Sequence, residues 1–254
     1  MEAMQYKLMG IINITDNSFV STSRMAAASV DQILERAAWM IEQGASYIDV
    51  GACSSAPGNE FISAEQEWKR LQEPVKELFG AFGGKVEFSI DTFRSSIVEG
   101  CLDMGCRIVV NDIFAGSADP RILDVTAAEG LQYIAMDQSA DPYSFFEKWA
   151  DTAERKGIRD WILDPGFGFG KTVEQNWEIM DQMPRFKDFG KPVLSATSRK
   201  RMIYIPLGLT PLSCAKESVQ AEIKAVQLGA DMVRTHDLDL HRQYRESAQT
   251  DRQQ

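Results

Sequence analysis

Short apolar runs alternate with amphipathic stretches about one helix long, and the alternation continues along the whole chain. Each run has the length of a buried strand, and the eight runs are Leu8 to Asn13, Tyr47 to Gly51, Val86 to Asp91, Ile108 to Asp112, Tyr133 to Met136, Trp161 to Asp164, Pro192 to Ala196 and Met232 to Arg234. Three of the intervening stretches begin with residues at the spacing of a helix-capping box: Ser29 with Gln32, Ser63 with Gln66 and Thr172 with Gln175. A strand followed by a helix, repeated in this way, predicts an α/β fold with a parallel sheet.

Eight strand–helix units in 254 residues fit a closed (β/α)8 TIM barrel in both number and length. An open doubly wound sheet is the alternative, but the glycine fingerprint of the dinucleotide-binding form does not follow the first run. We therefore predict one TIM-barrel domain over residues 1–254, with the tail from about 240 to 254 as a candidate disordered segment. In such a barrel the chemistry lies at the carboxyl ends of the strands.

The charge of the chain and its cysteines exclude several classes of partner and indicate the compartment. The chain has 37 acidic and 27 basic residues and a net charge of -10, which argues against nucleic-acid and anionic-membrane partners, because both bind broad basic surfaces. The four cysteines show no CxxC or Cys/His spacing, so they indicate reduced thiols in a cytoplasmic protein rather than a zinc site. No run of about 18 apolar residues suggests a membrane span. An anionic substrate would need a local concentration of positive charge.

Polar side chains end the apolar runs, at the rim where a barrel would bring them together. The strand-end residues are Asn13, Ser54, Ser55, Asp91, Asn111, Asp112, Asp137, Asp164, Ser198, Arg199, Lys200, Arg234 and His236. Asp91, Asn111 and Asp164 are the best ligand candidates, because short polar side chains that end buried strands are costly unless they have partners. A ring of such residues predicts a binding site in the barrel mouth.

Basic residues after the last two strands supply the positive charge that the chain otherwise lacks. Arg199, Lys200 and Arg234 suit a phosphate or diphosphate group. Asp112 is expected to cap a helix or bond a loop amide instead. For His236 a structural role and ligand contact are equally open.

A glycine-rich tract follows the sixth strand directly and reads DPGFGFGKT from Asp164 to Thr172. Glycines in this position let the backbone come close to a ligand at the start of a helix. A tight strand-to-helix turn is the structural alternative. Lys171, within the tract, is open to ligand contact or to a solvated position.

The order and spacing of several motifs resemble those of the dihydropteroate synthase family, folate-pathway enzymes built on a (β/α)8 barrel. The matching pieces are GIINIT followed by SF, DVG with SSAPG, SIDT, NDI, DPGFGFGKT, SRK and RTHD, from Met9 to Asp237. DPGFGFGKT and SRK are the most specific of them. The resemblance implies a transferase that joins 6-hydroxymethyl-7,8-dihydropterin diphosphate to p-aminobenzoate and releases diphosphate. It also implies Mg²⁺ as cofactor and a homodimer.

The resemblance assigns roles to residues by their position in these motifs. The pterin-binding residues are Asp91, Asn111, Ile113, Met136, Asp164 and Lys200, of which Asp91, Asp164 and Lys200 are also catalytic. The diphosphate-binding residues are Asn13, Arg234 and His236, with Asn13 as the Mg²⁺ ligand. The p-aminobenzoate-binding residues are Ser55, Pro57, Phe169, Lys200 and Arg201. The resemblance further implies that diphosphate leaves first and that the amine then attacks a pterin methylene cation, a reaction that needs no protein nucleophile.

Several positions depart from the family pattern, and they lie on the p-aminobenzoate side. Asn17 and Ser21 alter the first loop, and Ala56 occupies the usual arginine position of the second loop. Arg201 replaces the serine that usually follows SRK. One reading is a synthase with reduced sulfonamide sensitivity, in which Arg201 offers the substrate carboxylate a new partner. The other is a divergent pterin-binding paralogue without synthase activity, similar to the barrels that present methyl-tetrahydrofolate.

Overall fold

The computed structural model describes residues 5–14, 29–53 and 61–250, and in these ranges the chain forms eight strands that pair in parallel. The strands are β1 (Lys7–Asn13), β2 (Tyr47–Gly51), β3 (Glu87–Asp91), β4 (Val109–Asp112), β5 (Tyr133–Met136), β6 (Trp161–Asp164), β7 (Leu194–Ser195) and β8 (Met232–Thr235). Neighbouring strands follow the order β6-β5-β4-β3-β2-β1-β8-β7, and a parallel bridge between Leu163 and Val193 joins β6 to the segment before β7. This bridge closes the sheet and confirms the predicted (β/α)8 barrel.

Helices fill the connections between the strands. They are α1 (Val30–Glu42), α2 (Ala64–Phe82), α3 (Ser95–Asp103), α4 (Arg121–Glu129), α5 (Pro142–Lys156), α6 (Val173–Gln182), α7 (Arg201–Tyr204), α8 (Ala215–Gln227) and α9 (Leu238–Thr250), and a 3-10 helix (Met183–Phe189) follows α6. The three predicted capping boxes form at the starts of α1, α2 and α6. Each box pairs two backbone N–H groups that the first turn of a helix leaves without partners.

Alternation along the strands separates two apolar clusters. Side chains on the outer faces of the strands, such as Ile48, Phe88 and Val110, pack with the helices in the main core. The inner faces form a separate layer inside the barrel, made of Met9, Tyr47, Val109, Ile134, Ile162, Leu194 and Met232. The residues two positions further along these strands face the same way, because the side-chain period of a strand is two. They are Ile11, Asp49, Asn111, Met136, Asp164, Ala196 and Arg234. A largely polar layer therefore lies on an apolar floor.

The seventh strand is shorter than the predicted run from Pro192 to Ala196. Proline has no N–H group to donate, and the N–H of Val193 donates to Asp231 Oδ2 at 2.9 Å instead of to a strand. The carbonyl of Pro192 still accepts a hydrogen bond from the N–H of Leu163 at 2.9 Å. The ladder with β8 therefore begins at Leu194.

The expected disorder of the tail from about residue 240 is wrong for most of that segment. Helix α9 continues to Thr250, with Leu238 and His241 fully buried against the barrel. Arg245 donates from Nη2 to the carbonyl of Tyr6 at 2.6 Å, which ties the helix to the start of β1. These contacts of the first turns hold the helix against the barrel. Residues 251–254 lie outside the described ranges.

Candidate active site

The carboxylate of Asp49, on β2, organises the centre of the barrel mouth. It is completely buried, its Oδ2 accepts a hydrogen bond from Arg234 Nε at 2.8 Å, and Arg234 Nη2 lies 2.7 Å from the same oxygen in an ion pair. Asn111 Nδ2 lies 3.2 Å from both oxygens of the same carboxylate. Arg234 Nη2 also lies 3.7 Å from Asp91 Oδ2. One carboxylate thereby brings together predicted residues from β3, β4 and β8.

These contacts determine what Arg234 and Asn111 present to a ligand. Burial disfavours the charged guanidinium, but Asp49 and then Asp91 outweigh burial and raise the pKa of Arg234 above its ordinary value. The arginine is therefore a permanent cation. Because Asn111 donates from Nδ2 to Asp49, its Oδ1 lies on the other side of the amide and is available as an acceptor.

Asn13 and Asp91 face each other across Gly51, at the ends of β1 and β3. A Cβ atom on Gly51 would lie 3.2 Å from Asp91 Cβ, 3.5 Å from Asp91 Oδ2 and 3.6 Å from Asn13 Oδ1. The two oxygens therefore border the space that the missing side chain leaves. Oxygen donors beside a small open space suit Mg²⁺, which takes few protein ligands and completes its shell with waters and substrate phosphates. The described residues contain no cluster of three His, Cys, Asp or Glu side chains for a metal, so a site here would depend on substrate oxygens.

The glycine-rich tract after β6 forms a turn that brings Asp164 and Lys200 together. Asp164 Oδ1 accepts a hydrogen bond from the N–H of Gly166 at 2.8 Å. Gly166 has a φ of +67°, and a Cβ atom there would lie 1.7 Å from the carbonyl oxygen of Asp137, so the turn requires glycine. Lys200 donates from Nζ to the carbonyl of Phe167, and its ammonium group lies 4.9 Å from the centre of the Phe169 ring.

Asp164 and Lys200 offset each other's burial. Burial raises the pKa of Asp164, and the positive charge of Lys200 is the main factor that opposes this rise. Burial lowers the pKa of Lys200 to about 8, while Asp164 acts to raise it. Lys200 is therefore charged at neutral pH, because its pKa is still above 7.

His236 is held in the neutral form. Its Nδ1 lies 3.1 Å from Ser198 Oγ. Burial first, and then the nearby cations Arg234 and Arg199, lower the pKa of His236 to about 3. The imidazole is therefore a neutral hydrogen-bonding group at physiological pH and adds no positive charge to the site.

Two of the basic candidates have structural roles. Arg199, predicted to face a phosphate, instead pairs with Asp237, with its Nε 3.0 Å from Asp237 Oδ2, and it has a φ of 53°. Lys171 is fully buried and donates to the carbonyls of Asp137 at 3.1 Å and Gly166 at 3.0 Å, so the solvated position is wrong. Both cations stabilise loops at the rim, which leaves Lys200 and Arg234 as the positive groups of the centre.

Asp112 has the predicted structural role. It accepts hydrogen bonds from the N–H groups of Phe114 at 2.8 Å and Gly116 at 2.7 Å and from the hydroxyl of Tyr133 at 2.6 Å. As the last residue of β4, it therefore binds the amides of the following loop and does not face the mouth. Ile113 and Met136 are buried beside the strand ends, as apolar neighbours of the polar centre.

The residues predicted for a second substrate are placed only in part. Ser55 and Pro57 lie outside the described residues, and so do the altered positions Asn17, Ser21 and Ala56. Phe169 lies in the glycine-rich turn below Lys200. Arg201 is exposed at the first position of α7 and forms no ion pair with the residues in the described ranges.

The strand-end pattern missed Asp49. Asp49 lies two residues before the end of β2 and therefore does not stand at a strand end. Alternation could have found it: Gly51 ends the strand facing inward, so Asp49 must face inward as well. A carboxylate inside a run of apolar residues is a signal in its own right, because it needs a buried partner.

The chain is similar to proteins of one family. The family described as pterin binding enzyme matches residues 9–236. The dihydropteroate synthase of Bacillus subtilis (strain 168) is 33% identical over 251 residues, which cover 93% of this chain and 86% of the relative. That of Staphylococcus haemolyticus is 34% identical over 250 residues, covering 92% and 91%. The structure of Xanthomonas albilineans dihydropteroate synthase with 4-aminobenzoic acid has a TM-score of 0.86 at 28% identity, covering 98% of this chain and 93% of the other. In the described residues no helix is long and apolar enough to cross a membrane.

We expect the stability of the protein to depend on pH through Lys200. Its pKa is about 8 in the folded chain against 10.5 ordinarily, so between these values the unfolded chain binds more protons and the free energy of unfolding rises with pH. Lys200→Met removes this gain. The stability of the variant relative to the parent should therefore fall by roughly 1–3 kcal/mol between pH 7.5 and 10.5, measured by chemical denaturation. Lys148→Met, which removes an exposed lysine of α5, is the control and should leave the pH dependence of the parent unchanged. A difference in the free energy of unfolding between Lys200→Met and the parent that stays constant over this pH range would contradict the account.

Proposed function

The chain belongs to the pterin binding enzyme family, and on that premise we propose that it is a dihydropteroate synthase. The reaction joins 6-hydroxymethyl-7,8-dihydropterin diphosphate to p-aminobenzoate and releases diphosphate. The chain would thus act as a transferase in folate biosynthesis. The relatives from Bacillus subtilis and Staphylococcus haemolyticus are both dihydropteroate synthases, and the match to this chain covers most of their length.

The observation that carries the proposal is the shared contact of Asn111 and Arg234 with Asp49. Asn111 is a proposed pterin residue and Arg234 a proposed diphosphate residue, and one buried carboxylate holds both. The two parts of the first substrate are joined by a single methylene carbon. Adjacent binding groups for the two parts therefore fit a substrate whose reacting carbon lies between them.

The pterin would be held by complementary hydrogen bonds. An aminopyrimidinone edge carries N–H donors, which suit the carboxylates of Asp91 and Asp164, and acceptors, which suit the ammonium of Lys200. Asn111 adds an acceptor through Oδ1. The buried side chains of Ile113 and Met136 would pack on the pterin ring. Asp91, Asp164 and Lys200 would keep this charge pattern through the reaction and so act as the catalytic residues.

The leaving diphosphate would be stabilised by Arg234 and His236. Nε of Arg234 donates to Asp49 and Nη2 forms an ion pair with it, which leaves Nη1 for the diphosphate. The neutral imidazole of His236 adds a hydrogen bond. Asn13 is the proposed Mg²⁺ ligand, and the ion would neutralise charge on the departing oxygens. Each preorganised donor of this kind is worth roughly 3 kcal/mol in the transition state.

The second substrate would bind over the pterin, between the glycine-rich turn and α7. Phe169 offers an aromatic face and Lys200 a cation near the reacting carbon, while Ser55 and Pro57 belong to the second loop. Arg201 is the proposed partner of the p-aminobenzoate carboxylate, since an exposed guanidinium without an ion pair among the described residues is available for it. A rebuilt carboxylate site would also reduce the affinity for sulfonamides.

We also propose a homodimer in the cytoplasm. Ile205, Leu207 and Leu212, in the segment after α7, are 46%, 55% and 57% exposed, and a second copy of the chain would cover such apolar side chains. The four cysteines are unpaired and buried, in keeping with a reducing compartment.

An assay of the complete reaction tests the proposal. The purified chain with Mg²⁺, the pterin diphosphate and p-aminobenzoate should form dihydropteroate and release one diphosphate for each product. Asp164→Asn should weaken binding of the pterin by about 2 kcal/mol, because a charge-assisted hydrogen bond is lost. Asp181→Asn, an exposed carboxylate of α6 paired with Lys224, is the control and should leave binding unchanged. Pterin binding without any dihydropteroate would reject the synthase and favour the non-synthase pterin-binding paralogue.

Replacing the altered arginine tests the second-substrate site. Arg201→Ser should raise the KM for p-aminobenzoate roughly tenfold or more and leave pterin affinity unchanged, since a charged hydrogen bond to the carboxylate is worth about 1.5–3 kcal/mol. Lys216→Ser, which removes an exposed cation at the start of α8, is the control. Adding Ala56→Arg to Arg201→Ser should restore p-aminobenzoate affinity. An unchanged KM in Arg201→Ser, together with ordinary sulfonamide inhibition of the parent, would show that Arg201 has no role in binding.

A further inference from the structure

A buried carboxylate contacts β8 from outside the barrel, directly behind the proposed diphosphate residues. Arg234 and His236 flank Thr235 in sequence and share its opposite side, because successive side chains of a strand alternate. Thr235 faces helix α8, where its hydroxyl donates to Glu222 Oε2 at 3.0 Å. Both Thr235 and Glu222 are completely buried.

Glu222 is itself held by His241, and His241 is held by Tyr6. His241 Nε2, on α9, lies 2.6 Å from Glu222 Oε2, and Tyr6 Oη lies 2.9 Å from His241 Nδ1. Burial raises the pKa of Glu222, so the protein holds this carboxylate at an energetic disadvantage. We call Tyr6, His241, Glu222 and Thr235 the β8 clamp.

The β8 clamp continues into the mouth through Ser198. Thr235 Oγ1 accepts a hydrogen bond from the N–H of Asp237 at 3.1 Å and lies 3.4 Å from Ser198 Oγ. Ser198 Oγ accepts from the N–H of His236 at 3.1 Å and lies 3.1 Å from its Nδ1. Contacts shorter than 3.5 Å therefore lead from the outer helices to the imidazole ring.

From this geometry we infer that Glu222 is a positioning residue, which sets the placement of Arg234 and His236 by holding Thr235 from behind. The inference rests on the proposed role of these two residues in diphosphate binding. A packed apolar side chain would hold α8 against β8 without the cost of burying a polar carboxyl group. The carboxylate differs from an apolar side chain because it accepts a directional hydrogen bond. This bond fixes the rotation of the Thr235 hydroxyl and, through Thr235, the position of the end of β8. Among the described residues, neither Glu222 nor His241 contacts a side chain of the barrel mouth. Both therefore act through Thr235.

Binding of inorganic pyrophosphate with Mg²⁺, measured by calorimetry, tests the β8 clamp. Glu222→Gln and Thr235→Val should each weaken pyrophosphate roughly tenfold and leave the affinity for 6-hydroxymethylpterin unchanged. Thr235→Ser keeps the hydroxyl and should bind pyrophosphate like the parent. Glu67→Gln is the matched control, because Glu67 is an equally buried glutamate whose partner, Arg94, lies beyond β3. Folded variants with parental pyrophosphate affinity, or with equal losses for both ligands, would overturn the inference.

A second readout separates the β8 clamp from the proposed function. The chain has two histidines, so imidazole NMR spectra contain two ring systems, and His241→Gln identifies that of His236. Thr235→Val should shift the ring resonances of His236 and Thr235→Ser should restore them, without any ligand. If the parent does not bind pyrophosphate but the ring shifts as expected, the positioning inference holds and the diphosphate assignment is wrong. Unmoved resonances of His236 in Thr235→Val and Glu222→Gln would reject positioning, whatever the parent binds.

Discussion

The contact of Asp49 with Arg234 and Asn111 is the interaction on which the rest of the site depends. Removing a carboxylate and a guanidinium from water is costly, and apolar residues of similar size would often be as stable. The pair is nevertheless placed directly above the apolar layer of the barrel. Its effect is to fix two side chains with different proposed tasks at one point. Asn111 is left with an acceptor and Arg234 with a permanent charge.

The charge states of the other mouth residues are set first by burial and then by their distance from this centre. Arg234 contributes to the low pKa of His236, which is about 3, and acts in the same direction on Lys200, whose pKa is about 8. Asp164 opposes that effect on Lys200. At neutral pH the site thus holds two cations and a neutral imidazole in fixed positions. Such preorganised groups need no rearrangement when charge develops on a leaving group.

Much of this arrangement could be predicted from the sequence, because the signals are local. Strand positions follow from apolar runs, helix starts from capping boxes, and the rim residues from the ends of strands. The role of Asp112 was predictable for the same reason, since an aspartate after a strand readily bonds the amides of its own loop. The requirement for glycine at position 166 also belongs to a local turn.

The parts that could not be predicted depend on contacts between distant segments. Arg199 pairs with Asp237, which lies 38 residues away in sequence. Lys171 donates a hydrogen bond to the carbonyl of Asp137. Asp49 acquires its role from Arg234, 185 residues further along the chain. Helix α9 is ordered by its packing on the start of β1, which no property of the polar tail itself indicates. Such partners are distant in sequence and come into contact only in the folded barrel.

Calorimetry on Asp49→Asn tests the central claim most directly. The substitution keeps the shape of the side chain but removes the charge that holds both Asn111 and Arg234. If Asp49 organises the site, the affinities for 6-hydroxymethylpterin and for inorganic pyrophosphate with Mg²⁺ should both fall, each by roughly tenfold or more. A folded Asp49→Asn protein that loses affinity for one ligand only, or for neither, would contradict the account.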